Sequence, residues 1–337
     1  MTKGTKIFRI IISILLALTM LCSVFFAVLI CVYISRDVMQ AEYGINVDNV
    51  AVTRSNKDDI LGDGAVRYDA DNNILTFENA VIETENWPVY SNIDLNIQLI
   101  GENKFVCNSE GYSAGVYAGD YQLSKDLAFI GDGSLTIELP KAGGDSVGIF
   151  ASDLTVTTDI AVKTPDCERQ VNGIVCDSSL IVANKAAVTV DNGAAKNSVA
   201  VRVRGNALFE EGTALNVTVN PGTAEICKGL NVSGDVFLGK DTSLEVRVDD
   251  EVAELGECIR VSGLMEIGVG STVTASAKNA HAIECFGSIE AKAGSVVSAA
   301  SDKKDADIFC GGAVVNCGAE INAEIDAIGG IRNKDEN

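Results

Sequence analysis

An aliphatic side chain recurs along this chain at nearly even intervals, and this repeat constrains the fold more than any other feature. Each copy lies among small residues and precedes a turn, and successive copies are 24 to 33 residues apart, with a mean of about 27. The marker residues are Val89, Val116, Ile149, Ile174, Val201, Leu230, Ile259, Ile283 and Ile308. A period of about 20–50 residues is typical of solenoids, propellers and arrays.

Within each repeat, apolar and polar residues alternate with a period of two. Residues 148–164 contain three short apolar runs separated by Ser, Asp and Thr, and residues 258–277 contain three more. This pattern predicts three short strands per repeat. A β-sandwich does not require an aliphatic residue at the same position of every repeat. A parallel β-solenoid does, because each coil stacks the same position on the coil below. We therefore predict an all-β, single-stranded, right-handed parallel β-helix of about nine coils.

The predicted β-helix occupies residues 85–325, and its ends need caps because terminal coils lack a neighbour on one side. Residues 49–84 are expected to form an N-terminal cap with a hairpin, since two apolar runs flank the polar turn 69–73. Residues 37–48 are expected to be a linker, and residues 326–337 a polar C-terminal tail.

The N-terminal segment, residues 1–36, reads as a cytoplasmic tail followed by a transmembrane helix. Residues 10–34 carry no charge, and about 20 apolar residues suffice to span a bilayer. Three basic residues precede this stretch and no acidic residue occurs before Asp37, so the positive-inside rule places the N-terminus in the cytoplasm. We predict an uncleaved signal anchor in the lipid bilayer and an extracellular C-terminal domain. The alternative is a cleaved signal peptide, whose apolar stretch is shorter, about 7–15 residues.

The residue after each marker points outward if the marker points inward, because side chains alternate along a strand. The outward column begins with Tyr90, Tyr117 and Phe150, and it later contains Arg202 and Arg260. The aromatic residues predict a strip on which sugars stack, and the arginines are expected to contact uronate or sulfate groups. A plain aromatic ladder and charge balance on an acidic chain are the alternatives. The chain has one Trp, and its absence from this column favours the ladder.

Two acidic clusters are candidate Ca²⁺ sites, because Ca²⁺ binds about six to eight oxygen ligands. One contains Asp63, Asp69 and Asp71 in the cap, and the other contains Asp249 and Asp250. The first cluster does not form an EF-hand, because the Gly and Glu that close such a loop are missing. The alternative for both clusters is that they are solvated turn residues.

Three segments resemble bacterial cell-surface proteins with right-handed parallel β-helix repeats, described as pectate-lyase-like carbohydrate-binding domain proteins. They are the hairpin region 61–80, the run Gly-Asp-Gly-Ser-Leu-Thr-Ile at 131–137, and the run Gly-Ile-Phe-Ala-Ser-Asp-Leu-Thr-Val at 148–156. The resemblance is good from about residue 49 to 180 and looser from there to 325. It implies binding of an acidic polysaccharide, with calcium. Such repeats are specific for fold rather than for function.

Charge and composition exclude several classes of function. Lys and Arg number 26 against 47 Asp and Glu, a formal net charge of -21, so nucleic acid is not an expected partner. A single His, His281, argues against His-based metal sites and catalytic triads. No short motif pairs two carboxylates as glycoside hydrolysis requires. We therefore expect no enzymatic activity.

Eight cysteines follow the apolar segment, and an even number in an exported chain suggests disulfides. Cys176, Cys285 and Cys310 each stand two residues after a marker and so share its inward phase. This phase favours free, buried thiols that pack as small hydrophobic groups. A bridge between Cys285 and Cys310 on neighbouring coils is the alternative.

Three functional hypotheses follow. The first is recognition of a polysaccharide or another surface ligand along the exposed strand face. The second is a structural spacer or envelope scaffold with no defined ligand. The third, a polysaccharide lyase or glycoside hydrolase, has the weakest support from the sequence.

Overall fold

The computed structural model describes residues 15–16, 18–30, 32, 42–120, 123–140, 144–220, 225–249, 255–302 and 306–333. Residues 18–30 form a helix within the apolar N-terminal segment. Over these ranges, no helix combines the length and the hydropathy of a membrane span. Part of the expected anchor, residues 10–14, 17, 31 and 33–34, lies outside the described residues, and the anchor stays a prediction.

Two antiparallel hairpins precede the coils. β1 (Glu42–Val47) pairs with β2 (Val50–Thr53), β3 (Val66–Asp69) pairs with β4 (Ile74–Glu78), and β5 (Val81–Thr84) follows. The hairpin expected around residues 69–73 is present as β3 and β4. β1 buries Ile45 and Val47 in the core, so residues 42–47 form part of the cap although a linker was expected there.

The remaining strands come in coils of three. The first four coils contain β6 (Val89–Ser91), β7 (Leu95–Ile100), β8 (Glu102–Cys107), β9 (Ser113–Ala118), β10 (Leu127–Gly131), β11 (Ser134–Glu138), β12 (Asp145–Ala151), β13 (Leu154–Val156), β14 (Asp159–Lys163), β15 (Gln170–Cys176), β16 (Leu180–Val182) and β17 (Ala187–Asn192). The next three contain β18 (Asn197–Val203), β19 (Ala207–Phe209), β20 (Ala214–Val219), β21 (Ile226–Val232), β22 (Val236–Leu238), β23 (Ser243–Val248), β24 (Leu255–Val261), β25 (Met265–Ile267) and β26 (Thr272–Ala277). The C-terminal coils contain β27 (Ile283–Cys285), β28 (Ile289–Ala291), β29 (Val296–Ser301), β30 (Ile308–Cys310), β31 (Val314–Asn316), β32 (Glu320–Asn322), β33 (Ile325–Ala327) and β34 (Ile331–Asn333).

Every third strand joins the same sheet, so three sheets run along the molecule. The first sheet has the order β2-β1-β6-β9-β12-β15-β18-β21-β24-β27-β30-β33, the second β3-β4-β7-β10-β13-β16-β19-β22-β25-β28-β31-β34, and the third β5-β8-β11-β14-β17-β20-β23-β26-β29-β32. All pairs are parallel except β1 with β2, β1 with β6, and β3 with β4. The predicted all-β parallel solenoid is therefore confirmed.

The markers pair with one another in register from coil to coil. Val89 is opposite Val116, Val116 is opposite Ile149, and the column continues without a break to Ile308 and Ile325. The chain thus makes eight turns between the first marker and the ninth, close to the predicted number of coils. The right-handed sense of the coil stays a prediction.

The three sheets enclose one continuous apolar core, and the markers from Val89 to Ile308 are at most 2% exposed. Phe77 and Phe105 pack near the capped end with ring centroids 4.8 Å apart. Burying one such aliphatic or aromatic side chain stabilises a fold by about 1.5–3 kcal/mol. Because neighbouring coils cover the two faces of each coil, this stabilisation arises only when the coils stack.

The C-terminal end of the solenoid is more open than its N-terminal end. β33 and β34 pair with β30 and β31, so the strands extend beyond residue 325, where the solenoid was expected to stop. Inward-facing residues there are only partly buried, and Ile331 is 55% exposed.

Candidate aromatic binding site

The alternation of side chains is interrupted in the long strands of the first sheet. In β12 the residues from Ser146 to Ile149 are all buried, and a Cβ added at Gly148 would lie 2.2 Å from Val162 Cγ1 of the third sheet. This close approach requires glycine. As a result, Val147, two residues before the marker in sequence, and Phe150, one residue after it, both lie outside the main core, in a second, smaller apolar cluster.

The three aromatic residues predicted from the outward column lie together. The rings of Tyr90 and Tyr117 stack with centroids 6.3 Å apart, and those of Tyr117 and Phe150 stack at 4.6 Å. In-register pairing of their strands produces this arrangement, because it places the same position of successive coils side by side. The rings form a continuous strip along the first sheet.

Trp87 and Tyr112 complete the cluster, and neither residue is among those predicted from the outward column. The Trp87 ring lies 5.1 Å from that of Tyr117 and 6.0 Å from that of Tyr90, and its Nε1 donates a hydrogen bond to the Tyr112 carbonyl at 3.2 Å. The position of Trp87 in the repeat could have identified it, because Trp87 stands two residues before the marker Val89. Val147 stands at the same position before the marker Ile149, and it also lies outside the main core. We call Trp87, Tyr90, Tyr112, Tyr117 and Phe150 the aromatic cluster.

A cavity of about 390 Å³ opens beside the aromatic cluster. Its lining combines three aromatic rings with amide, hydroxyl and carboxylate groups: Asn46, Asn49, Glu85, Asn86, Trp87, Tyr90, Ser109, Tyr117, Gly119 and Asp120. The volume falls within the range of small-ligand sites, about 300–1,000 Å³. We call it the aromatic cavity.

The predicted arginines do not join the aromatic cluster. Arg202 stands two strands beyond Phe150, on the order of 10 Å away along the axis. Burial, reinforced by the charge of Arg204, lowers the pKa of Arg202. Arg260 forms an ion pair with Glu257, and its guanidinium lies 5.0 Å from the centre of the Phe286 ring.

The carboxylates of the cap cluster serve its turns. Asp63 Oδ1 accepts a hydrogen bond from Ala65 N at 2.9 Å, and Asp69 Oδ1 accepts one from Asp71 N at 3.0 Å. A hydrogen bond from the Asn72 side chain, followed by one from its backbone, lowers the pKa of Asp69. These contacts agree with the reading of solvated turn residues.

Basic side chains lie beside two of the candidate metal ligands, Asp69 and Asp249. The cavity next to Asp69 is also lined by Lys57 and Arg67, whose charges disfavour a bound metal ion. In the second acidic cluster, Asp249 forms an ion pair with Lys278 at 2.8 Å, and Asp250 lies outside the described residues.

The structure as described brings no three His, Cys, Asp or Glu side chains together where they could share a metal ion. His281 lies at the start of a coil, where its Nδ1 is 2.6 Å from the Ala306 carbonyl oxygen. Its ring lies 5.7 Å from that of Phe309. These contacts hold His281 in the segment that connects β26 and β27.

No family model matches the chain, and neither a curated protein nor a solved structure shows significant similarity to it. The resemblance to carbohydrate-binding β-helix proteins therefore stays a prediction. The parallel β-solenoid fold stands on the strand pairing alone.

Proposed function

We propose that this chain is a membrane-anchored, extracellular solenoid that binds a polysaccharide without cleaving it. The aromatic cavity carries the proposal, since Trp87, Tyr90 and Tyr117 offer ring faces beside Asn46, Asn86 and other polar groups. Ring faces provide apolar contact for the C–H faces of a sugar, and the surrounding amides and carboxylates can bond its hydroxyls.

The direction of the strip supports a polymeric ligand. Tyr90, Tyr117 and Phe150 follow one another along the axis with ring centroids 6.3 and 4.6 Å apart, so a linear glycan lying along the axis would cross successive rings. Ala114, Val147 and Val175 form a buried apolar cluster against which Tyr117 and Phe150 pack.

A glycan array tests the proposal. We expect the full-length chain in detergent to bind at least one polysaccharide, and Trp87→Ala and Tyr117→Ala to weaken that binding by tenfold or more. The matched control is Phe286→Ala, because Phe286 is an exposed aromatic residue on a coil far from the cavity. Circular dichroism should be the same for all variants, and arrays with and without calcium test the calcium dependence that the family resemblance implies.

The second candidate is a spacer or envelope scaffold with no ligand. The stacking of Tyr117 on Phe150 at 4.6 Å favours it, because such a ladder also stabilises neighbouring strands. If the chain bound no glycan on the array, this result would support the scaffold and overturn the proposed binding.

Catalysis is tested separately. We expect no ultraviolet-absorbing unsaturated product when the chain is incubated with pectic substrates. Such a product would show a polysaccharide lyase and would replace the proposal of binding without cleavage.

The proposed anchor has its own test. We expect the full-length chain to sediment with membranes and to resist extraction by alkaline carbonate, whereas a chain that starts at residue 37 is released. External protease should digest the C-terminal domain of intact cells. Release of the full-length chain by carbonate would contradict the anchor.

A further inference from the structure

We propose that the aromatic cavity selects a glycan that carries free amino groups and rejects uronic acid polymers. This inference rests on the proposed polysaccharide binding and names the chemical class of its ligand. It differs from what the family resemblance implies, because that resemblance implies an acidic polysaccharide.

Carboxylates line the aromatic cavity together with the rings. Glu85 and Asp120 line the aromatic cavity, and Asp120 Oδ1 also accepts a hydrogen bond from Leu123 N at 2.8 Å. A second cavity of about 700 Å³ shares Glu85 and Ser109 with the first and adds Glu83 and Glu110. Four carboxylates therefore lie along one continuous depression.

The described lining of the two cavities carries acidic side chains. Among the described residues, no Lys, Arg or His lines either cavity. Arg202 stands three strands beyond Tyr117, which lines the cavity, and this separation of roughly 14 Å along the axis exceeds the Debye length of about 8–10 Å at physiological salt, so its charge is largely screened from the cavity. A uronate in the aromatic cavity would meet the like charges of these carboxylates.

The rings themselves prefer a cation over an anion. The face of an aromatic ring carries the negative part of its quadrupole, and Trp binds cations best among the aromatic side chains. The Trp87 ring is tilted by 31° from that of Tyr117 and by 48° from that of Tyr90, and the three rings pack together along one side of the aromatic cavity. An ammonium group held there has both the ring faces and the Glu85 carboxylate as partners.

A matched set of oligosaccharides tests the selection. Hexamers of glucosamine and of N-acetylglucosamine differ in the charge of the amino group, and a galacturonic acid hexamer supplies the opposite charge. By titration calorimetry on the full-length chain in neutral detergent, we expect glucosamine to bind at least about tenfold more tightly than its acetylated form, a difference of about 1.4 kcal/mol. We expect no binding of galacturonate, and added salt should weaken binding only of glucosamine.

Conservative variants assign the effect to the cavity. We expect Glu85→Gln to weaken glucosamine binding several-fold more than it weakens N-acetylglucosamine binding. The control is Glu245→Gln, because Glu245 is exposed on β23 of the third sheet. Trp87→Ala should weaken binding of both sugars.

The outcomes separate the two proposals. Equal affinity for the two glucosamine forms with retained dependence on Trp87, or tighter binding of galacturonate, would overturn the charge selection and leave polysaccharide binding standing. If a lysine hexamer competed with glucosamine equally well in the parent and in Trp87→Ala, the acidic surface alone would explain the effect, and the selection would be overturned. Absence of binding to every oligosaccharide would overturn both proposals.

Discussion

At the residue scale, aspartate side chains hold the corners between the first and second sheets. Ser179 N donates to Asp153 Oδ1 at 2.8 Å, Asp153 N donates to Asp126 Oδ1 at 3.1 Å, and Asp126 N donates to Asp94 Oδ1 at 3.0 Å. Each carboxylate therefore accepts a hydrogen bond from the backbone of the next coil. Some of the acidic residues of this chain therefore have a structural role, because they connect neighbouring coils.

Asp153 makes the stability of the fold depend on pH. Hydrogen bonds from the Ser178 side chain and then from Ser179 lower the pKa of Asp153 from its usual 3.8. Its ionised form therefore stabilises the fold above that pH, and the contribution is lost as the pH falls through the lower folded value. We expect Asp153→Asn to reduce the free energy of unfolding by less than about 1 kcal/mol near neutral pH, because the carboxylate is partly exposed.

Denaturant titrations at several pH values measure this effect. The parent and Asp153→Asn should converge in strong acid, and Asp132→Asn, on an exposed turn, should match the parent throughout. A difference that persists in strong acid would contradict the assignment.

The cysteines divide by burial. Those in the described part of the chain are thiols outside disulfides, and Cys107, Cys176, Cys227, Cys258, Cys285 and Cys310 are buried. Burial raises the pKa of Cys176, which suppresses the reactive thiolate. We expect an aromatic disulfide reagent to label Cys167 and Cys317 in the native domain and the buried thiols only after unfolding. Mass spectrometry of the labelled chain checks this, and a thiol missing after unfolding would indicate a disulfide.

At the scale of the element, each strand contributes little to the stability of the fold until it packs against the strands of the adjacent coils. The marker Ile174 lies between Ile149 and Val201 in the first sheet and is fully buried. Its stabilisation depends on both adjacent coils, as expected for a solenoid in which each repeat touches only the next.

Truncation of one marker tests this dependence. We expect Ile174→Ala to lower the free energy of unfolding by about 2–5 kcal/mol, because it opens a cavity between two coils. Ile181→Ala, at a partly exposed position of β16, should cost clearly less. Equal losses from the two variants, measured by denaturant unfolding, would contradict the inward stacking of the markers.

At the scale of the whole molecule, the two ends of the solenoid differ. β1 and β2 extend the first sheet at the N-terminal end and bury Val52 completely. At the C-terminal end, β32, β33 and β34 are the last strands of the three sheets, and their residues are partly or fully exposed.

This difference predicts a gradient of local stability. We expect hydrogen exchange measured by mass spectrometry to be fastest in β32, β33 and β34 and slowest in the central coils, because opening at the C-terminal end exposes little apolar surface. The N-terminal hairpins should protect β6 to β8. Uniform exchange along the chain would show that the solenoid opens as one unit.

The fold was predictable because every coil of a solenoid must meet the same packing requirement. One inward aliphatic position per turn must match the position below it, and Val116, Ile149 and Ile174 therefore stand in the sequence at a regular interval. The cap was less predictable, because β1 is used once and follows no repeat.

The sequence by itself determined the parallel stacking of coils and the strip of Tyr90, Tyr117 and Phe150, because in-register pairing converts a sequence period into a spatial column. Only the tertiary structure decided that Trp87 and Tyr112 join this strip and that Glu85 and Asp120 lie beside it. Glu85, Tyr112 and Asp120 lie before or after the strands, where no period applies, and the outward position of Trp87 does not by itself show that its ring packs on Tyr117. Their positions depend on how the strands of the first sheet bend and how the turns between coils pack.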